Sequence, residues 1–249
     1  MIKKLILELK KKIQLTADVY EFLFKPNHKL KFKPGQYMEW TLGQDTRDSR
    51  GMRRYFTISS SPAEEYVGMG VKFYPHSSSF KQSMLSLNTG DKIIASQLAG
   101  DFVLPEDKDK KLVFIAGGIG VTPFRSMIKH LLDIKEKRDI VLLYSNKTPT
   151  DIIYKDIFDR AEQELGVKTI YTVTDKPCPK DWTCANCFID EVLVKKIVPD
   201  YKERTFYLSG PQAMVAACDQ ILRKMGVKKS RIKKDFFHGL ARNFNVYFL

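Results

Sequence analysis

Cysteine is scarce in this 249-residue chain, with four residues, and tryptophan scarcer, with two. The start of the chain carries no secretion signal, so four thiols argue against a disulfide framework and for a reducing, cytoplasmic setting. No run approaches the roughly 18–20 apolar residues that span a bilayer. Integral membrane insertion is therefore not expected, while peripheral association stays open. The opening MIKKLILELKKK has a basic flank but only a short apolar run and no small-residue cleavage site, and it reads as a strand. Internal repeats and low-complexity linkers are lacking as well. Acidic side chains are outnumbered: 29 Asp and Glu stand against 42 Lys and Arg, a formal net charge of +13. That excess favours something acidic, whether nucleic acid, an anionic membrane face, a nucleotide or an acidic protein, and composition does not choose among them.

What is present is core-forming material. Hydrophobic residues make up 43% of the chain, enough for one large domain or two ordinary ones. Residues 1–108 read as an all-β unit, with short alternating segments at Leu5–Leu9, Val19–Phe24, Gln36–Leu42, Phe56–Ser59, Val67–Phe73 and Lys92–Gln97. Turn signals such as Lys33-Pro34-Gly35 and Asn88-Thr89-Gly90-Asp91 separate them, which suggests a barrel or sandwich. One short helix is expected at Ser79–Leu87. From Lys111 the pattern changes. Leu112–Ala116 is continuously apolar, as in a strand buried on both faces, and Phe124, Met127, Ile128, Leu131 and Leu132 follow at helical spacing. Further strands are expected at Ile140–Tyr144, Thr169–Val173 and Phe206–Leu208. Helices are expected near Ile153–Leu165, Glu191–Ile197 and Gln212–Met225. Strands alternating with helices imply an α/β doubly wound parallel sheet over residues 109–249. The boundary falls in the charged stretch Glu106–Lys110.

Two turns of that second half suit a ligand, the first of them an anionic group. Strand Leu112–Ala116 runs into Gly117-Gly118-Ile119-Gly120-Val121, and then Thr122 and Pro123 supply a natural N-cap and first helical residue. Glycines let the backbone approach a ligand, and the N–H groups and dipole of a helix start favour a pyrophosphate at the carboxyl edge of a parallel sheet. Tyr207-Leu208-Ser209-Gly210-Pro211 makes a second such edge. In the β half, Arg54 suits a bidentate phosphate contact, Phe56 shares its strand face and offers a ring, and Thr57 points the other way with a hydroxyl. Val71-Lys72 and Ser77–Phe80 follow, with Ser79 near a helix start.

Taken in order, Arg54-Tyr55-Phe56-Thr57-Ile58-Ser59-Ser60, Ser78-Ser79-Phe80, Gly100-Asp101-Phe102, Gly117–Pro123 and Ser209-Gly210-Pro211 resemble the ordered motifs of the ferredoxin–NADP reductase-like superfamily. The resemblance covers the chain from about Leu5 to Phe237. It implies two domains: an N-terminal six-stranded antiparallel Greek-key barrel that binds FAD, and a C-terminal nicotinamide-nucleotide domain with a short tail. It implies an oxidoreductase that moves a hydride between NAD(P)H and flavin. By position, Arg54 would hold the FAD pyrophosphate, Tyr55 would belong to the same flavin segment, and Phe56 would pack on the flavin or its ribityl chain. Thr57 would bond near the flavin N5, Val71 and Lys72 would line the ring and ribityl region, and Ser78 and Ser79 would meet the phosphates. Gly118, Gly120, Val121 and Thr122 would cradle the nicotinamide dinucleotide's pyrophosphate, with Ser209, Gly210 and Pro211 beside the nicotinamide. Thr57, Ser209 and Asp235 are the expected catalytic group.

The chain departs from the family pattern in three places. Phe56 stands where Tyr is usual, which removes a hydroxyl and keeps a stacking ring. Ser209 stands where many members carry Cys. The acidic residue near the family's C-terminus is displaced here, with Asp235 as its counterpart. In Thr172–Pro177, Asp175 would accept hydrogen bonds from a ribose 2′-hydroxyl and repel a 2′-phosphate, so NADH is favoured over NADPH. Cys178, Cys184 and Cys187 form C-x₅-C-x₂-C, but they lie at loop positions where the family commonly has glycine, and no metal is expected. The plant-type iron–sulfur extension is not seen. Lys10–Lys12 and Arg223–Lys234 are the densest basic runs, and an acidic electron carrier such as ferredoxin or flavodoxin is the expected partner. A flavin subunit active only within a larger redox complex is the alternative. Nucleic-acid binding is the remote one, since no recognition motif accompanies the charge. The tail Ala241–Leu249 reads as a docking element or as packing on the barrel.

Overall fold

The structure is a computed structural model that describes residues 4–43, 51–175, 184–185 and 188–236. It forms two compact units. One gathers Met1–Glu106, Thr122–Lys137 and Ile153–Leu165; the other gathers Asp107–Val121, Arg138–Ile152 and Gly166–Leu249.

The first unit is built on strands β1 (Leu5–Gln14), β2 (Val19–Pro26), β3 (Tyr37–Thr41), β4 (Arg53–Thr57), β5 (Val67–Lys72) and β6 (Lys92–Ala99), with helix α1 (Ser79–Ser86) before β6. The sheet order is β4-β3-β6-β1-β2-β5 and every pair is antiparallel. Just past β4, the Ser59 N–H donates to the Gly68 carbonyl of β5 at 2.9 Å, which brings the two ends of the sheet together as a barrel. Alternation sets the core: Leu5, Leu7 and Leu9 point inward while Ile6 faces out. Phe22, Phe24, Trp40 and Phe80 fill the centre. The Trp40 indole donates to the Phe56 carbonyl at 3.3 Å, tying β3 to β4. Strand β1 continues through the lysine run to Gln14, because its backbone pairs with β2 whatever its side chains carry.

Helices α2 (Thr122–Ile134) and α3 (Lys155–Leu165) come from the C-terminal half of the chain, yet they group with the barrel. Buried polar side chains of α2 bond to barrel residues 59, 60 and 64, and Tyr154, just before α3, bonds to residue 21.

The second unit is a parallel α/β sheet. Its strands are β7 (Leu112–Gly117), β8 (Ile140–Asn146), β9 (Lys168–Val173), β10 (Cys184–Ala185), β11 (Thr205–Gly210) and β12 (Ile232–Phe236), in the order β10-β9-β8-β7-β11-β12. Helices α4 (Glu191–Ile197) and α5 (Gln212–Lys224) supply Leu193, Val194, Val215, Cys218 and Leu222 to a core with Val113, Ile115, Leu143 and Phe206. Strand β12 was not expected from its sequence, Ile-Lys-Lys-Asp-Phe. Its place comes from backbone pairing with β11 and from the buried Ile232, signals that a charged pentapeptide hides. Among the described residues, no helix is long and apolar enough to cross a membrane.

Candidate functional site

Strand β4 gathers one set of candidate residues. Arg54 places its guanidinium 5.4 Å from the centre of the Phe80 ring. Phe56, two residues on and on the same face, stacks on that ring at 6.0 Å and 29°. Arg54 Nη1 also donates to the carbonyls of Gly51 (3.1 Å) and Arg53 (2.6 Å), so the head group is oriented by its own strand. Tyr55 faces the opposite way. Its hydroxyl donates to Glu39 Oε2 at 3.0 Å, its ring meets Tyr37 edge-on at 5.7 Å, and it is 53% exposed. That is a held aromatic surface open to a flat ligand. The Glu39 bond raises the Tyr55 pKa, which keeps the phenol neutral. Thr57 is buried at the strand's end.

Helix α1 contributes the next set. Ser78 is its N-cap, with its side chain accepting from the Lys81 N–H at 3.4 Å, and Ser79 opens the helix; no acidic side chain occupies the first turn. Such a helix start is suited to phosphate oxygens. Lys72 pairs with Asp18 at 3.0 Å, and both Lys72 and Lys81 lie over the Tyr74 ring. Val71 is committed to the barrel core at 1% exposed. An arginine, a presented ring and an uncharged helix start form a donor set that fits an anionic flavin dinucleotide.

In the second unit the glycine-rich turn and the end of β11 lie back to back. A Cβ on Gly120 would fall 2.5 Å from Gly210 Cα, and one on Gly117 would fall 2.3 Å from Met214 Sδ and 3.0 Å from Pro211 Cδ. Only glycine permits that approach. Gly118 takes φ +51° with no neighbouring atom within 4 Å of its would-be Cβ, so its backbone is open to a ligand. Val121 and Thr122 follow, both buried, with Thr122 the first residue of α2.

Buried polar atoms without partners lie near the carboxyl ends of these strands: Asn146 Oδ1 and Nδ2 on β8 and Ser209 Oγ on β11 belong to one face of the sheet, and Thr172 Oγ1 on β9 to the other. A group left this way costs about 1–3 kcal/mol, which a ligand with its own donors and acceptors can recover. Close glycine backbone at the end of β7 and the unsatisfied Ser209 hydroxyl at the end of the adjoining β11 fit the needs of a nicotinamide dinucleotide. Ser209 is the register partner of Ala116 and of Asp235, which places Asp235 beside it on the neighbouring strand. Asp175 is exposed past the end of β9; its N–H donates to the Lys147 carbonyl at 2.8 Å and its carboxylate accepts from Thr174 Oγ1 at 2.6 Å. Pro211 is exposed at the start of α5. Asn146 and Thr172 belong to no motif of the sequence; their only local signal is a polar residue at or next to the end of a largely buried parallel strand.

Among the described residues, no group of His, Cys, Asp and Glu has the makings of a metal site. Cys178, Cys187 and the tail Ala241–Leu249 lie outside the described residues, and Cys184 is described only as backbone of β10. Cys218 is buried in α5, and burial pushes its thiol up to about 12, which leaves it unreactive. Part of the basic surface is already paired: Lys12 donates to the Leu85 and Leu87 carbonyls, and Asp219 holds both Arg223 and Lys234.

Comparison with known proteins bears on both halves. Residues 6–102 match the family of oxidoreductase FAD-binding domains, and residues 114–220 match the oxidoreductase NAD-binding domain. A glycine betaine monooxygenase reductase subunit from Chromohalobacter salexigens is 28% identical over 232 residues, covering 91% of this chain and 62% of that protein. The chain spans about three fifths of the length of the curated relatives it matches. Among solved structures, an Amycolatopsis cytochrome P450 reductase superposes with a TM-score of 0.82 at 22% identity, over 95% of this chain and 70% of that one, a likeness of fold alone. The cytochrome b5 reductase domain of Ulva prolifera nitrate reductase gives a TM-score of 0.76 at 26% identity, over 94% of this chain and 97% of that one.

Proposed function

The chain belongs to the ferredoxin–NADP reductase-like superfamily, and on that footing we propose that it is an FAD-dependent NAD(P)H oxidoreductase that passes electrons to a separate redox partner. The observation that carries this reading is the joint occurrence, in one chain, of a flavin-type barrel and a parallel sheet whose glycine turn and unsatisfied Ser209 await a nucleotide. Residues 1–108 serve as the flavin domain and 109–249 as the nucleotide domain. FAD, when bound, supplies the acceptance of a hydride and the release of electrons one at a time.

The protein's own part is binding and orientation. Arg54 neutralises the FAD pyrophosphate together with Ser78 and Ser79 at the start of α1; its ordered guanidinium supports this. Phe56 and Tyr55 would give apolar surface to the flavin, Thr57 would offer it a hydroxyl, and Val71 and Lys72 would border it. Gly118, Gly120, Val121 and Thr122 would receive the nicotinamide dinucleotide's pyrophosphate. Ser209, Gly210 and Pro211 would meet the nicotinamide, with Asp235, in register with Ser209, helping to orient it. Asp175 gives NADH the advantage over NADPH, because a fixed carboxylate accepts from a ribose 2′-hydroxyl and repels a 2′-phosphate.

The partner is an acidic electron carrier of the ferredoxin or flavodoxin kind, met in the cytoplasm and attracted by the +13 excess. A second reading, a reductase subunit working inside a larger redox complex, is favoured by the name of the Chromohalobacter relative, itself a reductase subunit. The test is reduction of an artificial one-electron acceptor. NADH should support turnover in the FAD-loaded protein, and Asp175→Ser should raise the NADPH:NADH ratio of kcat/KM. Turnover that is indifferent to FAD contradicts the reading.

A further inference from the structure

Behind the flavin strand lies a buried polar cluster to which none of these roles has been given. Ser59, Ser60 and Ser61 follow β4 and are at most 1% exposed. Two elements hold their backbone. From β5, Gly68 accepts the Ser59 N–H at 2.9 Å and donates its own N–H to Ser60 Oγ at 2.9 Å. From α2, Arg125 Nη1 donates to the Ser59 carbonyl at 2.9 Å, and Ser126 Oγ donates to the Ser60 carbonyl at 2.6 Å.

Arg125 is 6% exposed, and its guanidinium is itself gripped. Glu64 takes it in a fork, Nη1 to Oε2 at 2.5 Å and Nη2 to Oε1 at 2.9 Å. The same Glu64 Oε2 accepts the Ser61 N–H at 2.6 Å. On the far side, Glu21 Oε1 accepts from Ser59 Oγ at 2.9 Å and from the Tyr154 hydroxyl at 3.2 Å, and the Tyr154 ring lies 5.5 Å from the Arg125 guanidinium. The segment has no room to move toward β5, since a Cβ on Gly68 would lie 2.6 Å from Ser59 Oγ.

A buried cation is a poor device for stability alone, because desolvation offsets most of its attraction and an apolar pair would serve as well. What a bidentate guanidinium adds is fixed geometry. Here the forked guanidinium fixes the Ser59 carbonyl, two residues beyond Thr57, while the neighbouring Ser126 hydroxyl holds the Ser60 carbonyl. Ligand-bearing strands need such support, since small misplacements of a binding group carry large losses.

We propose that Arg125 is a positioning residue for the flavin: by clamping the Ser59 carbonyl, with Ser126 as a second hold on Ser60, it sets where Arg54, Phe56 and Thr57 meet the cofactor. The inference rests on the reading that β4 carries FAD.

The test is titration of the apoprotein with FAD, followed by flavin fluorescence, with the visible circular dichroism of the bound flavin and KM for NADH as further readouts. Arg125→Met should raise the FAD Kd about tenfold or more and alter the flavin dichroism, while leaving KM for NADH within about twofold. Arg125→Lys, which keeps a donor for Ser59 but loses the fork, should fall between that variant and the wild type. Ser126→Ala should weaken FAD binding about threefold, corresponding to one lost hydrogen bond. Arg204→Met is the control: Arg204 is a comparably buried guanidinium in the second unit, forked onto Asp139, and its loss should leave the FAD Kd within about twofold of wild type. Wild-type Kd and dichroism in both Arg125→Met and Ser126→Ala overturn the proposal, as does an equal loss in Arg204→Met. If Arg125→Met does not fold, Ser126→Ala decides by the same criterion. A wild-type protein that takes up no FAD overturns the flavin reading of β4, and the positioning role falls with it.

Discussion

Ser209 is fully buried with a hydroxyl that has no partner, at the end of the buried run Phe206-Tyr207-Leu208. Such an atom lowers the stability of the ligand-free fold and becomes useful only when a ligand meets it. Ser209→Ala should therefore stabilise the apoprotein by about 1 kcal/mol while weakening NADH binding, a pair of opposite signs readable by thermal melting and by titration. A second residue sets the acid limit of the nucleotide unit. Arg204, with Lys111 assisting, holds Asp200 down to about 2 from 3.8. A depressed carboxylate contributes stability that is present above its unfolded pKa and disappears as pH falls through the folded value, so this contribution fades between about pH 4 and pH 2. Because the pair is partly solvated, the contribution is about 1 kcal/mol. Asp200→Asn should remove that step from the pH dependence of urea unfolding.

At the scale of elements, the glycine-rich turn and the end of β11 act as one piece because neither carries a side chain where they touch. Gly120→Ala would drive a methyl into the Gly210 backbone, which has no flexible group to yield, and should cost about 1–3 kcal/mol. Gly118→Ala meets open space and carries only the strain of its positive φ, about 1 kcal/mol, so the first variant should melt below the second. These turns were legible in the sequence, since strand, glycines and Thr-Pro sit within a few residues of one another. The order Arg54, Phe56, Thr57 was legible for the same reason. What escaped was non-local. Arg125 meets Glu64 across 61 residues and Tyr154 meets Glu21 across 133, so no local pattern announces the cluster. Strand β12 escaped because an edge strand draws on its neighbour's backbone, which its own charged side chains do not reveal.

For the whole molecule, few of the 42 basic residues act at the binding sites described above. Arg54 and Lys72 are the two proposed for FAD, Arg125 and Arg204 are buried in forks, and Lys12 and Arg223 are tied locally. The remaining surface excess suits an acidic partner. Electron transfer to such a carrier should slow as salt rises from 50 mM to 500 mM, while oxidation of NADH by a neutral acceptor stays nearly constant. The central claim is that one chain binds flavin and reduces it with a nicotinamide nucleotide. The direct measurement is the visible spectrum of the purified protein, loaded with FAD and mixed without oxygen with NADH or NADPH. The account predicts a yellow protein that NADH bleaches faster than NADPH. A colourless protein that no FAD can reconstitute, or a flavin that neither nucleotide bleaches, would contradict it.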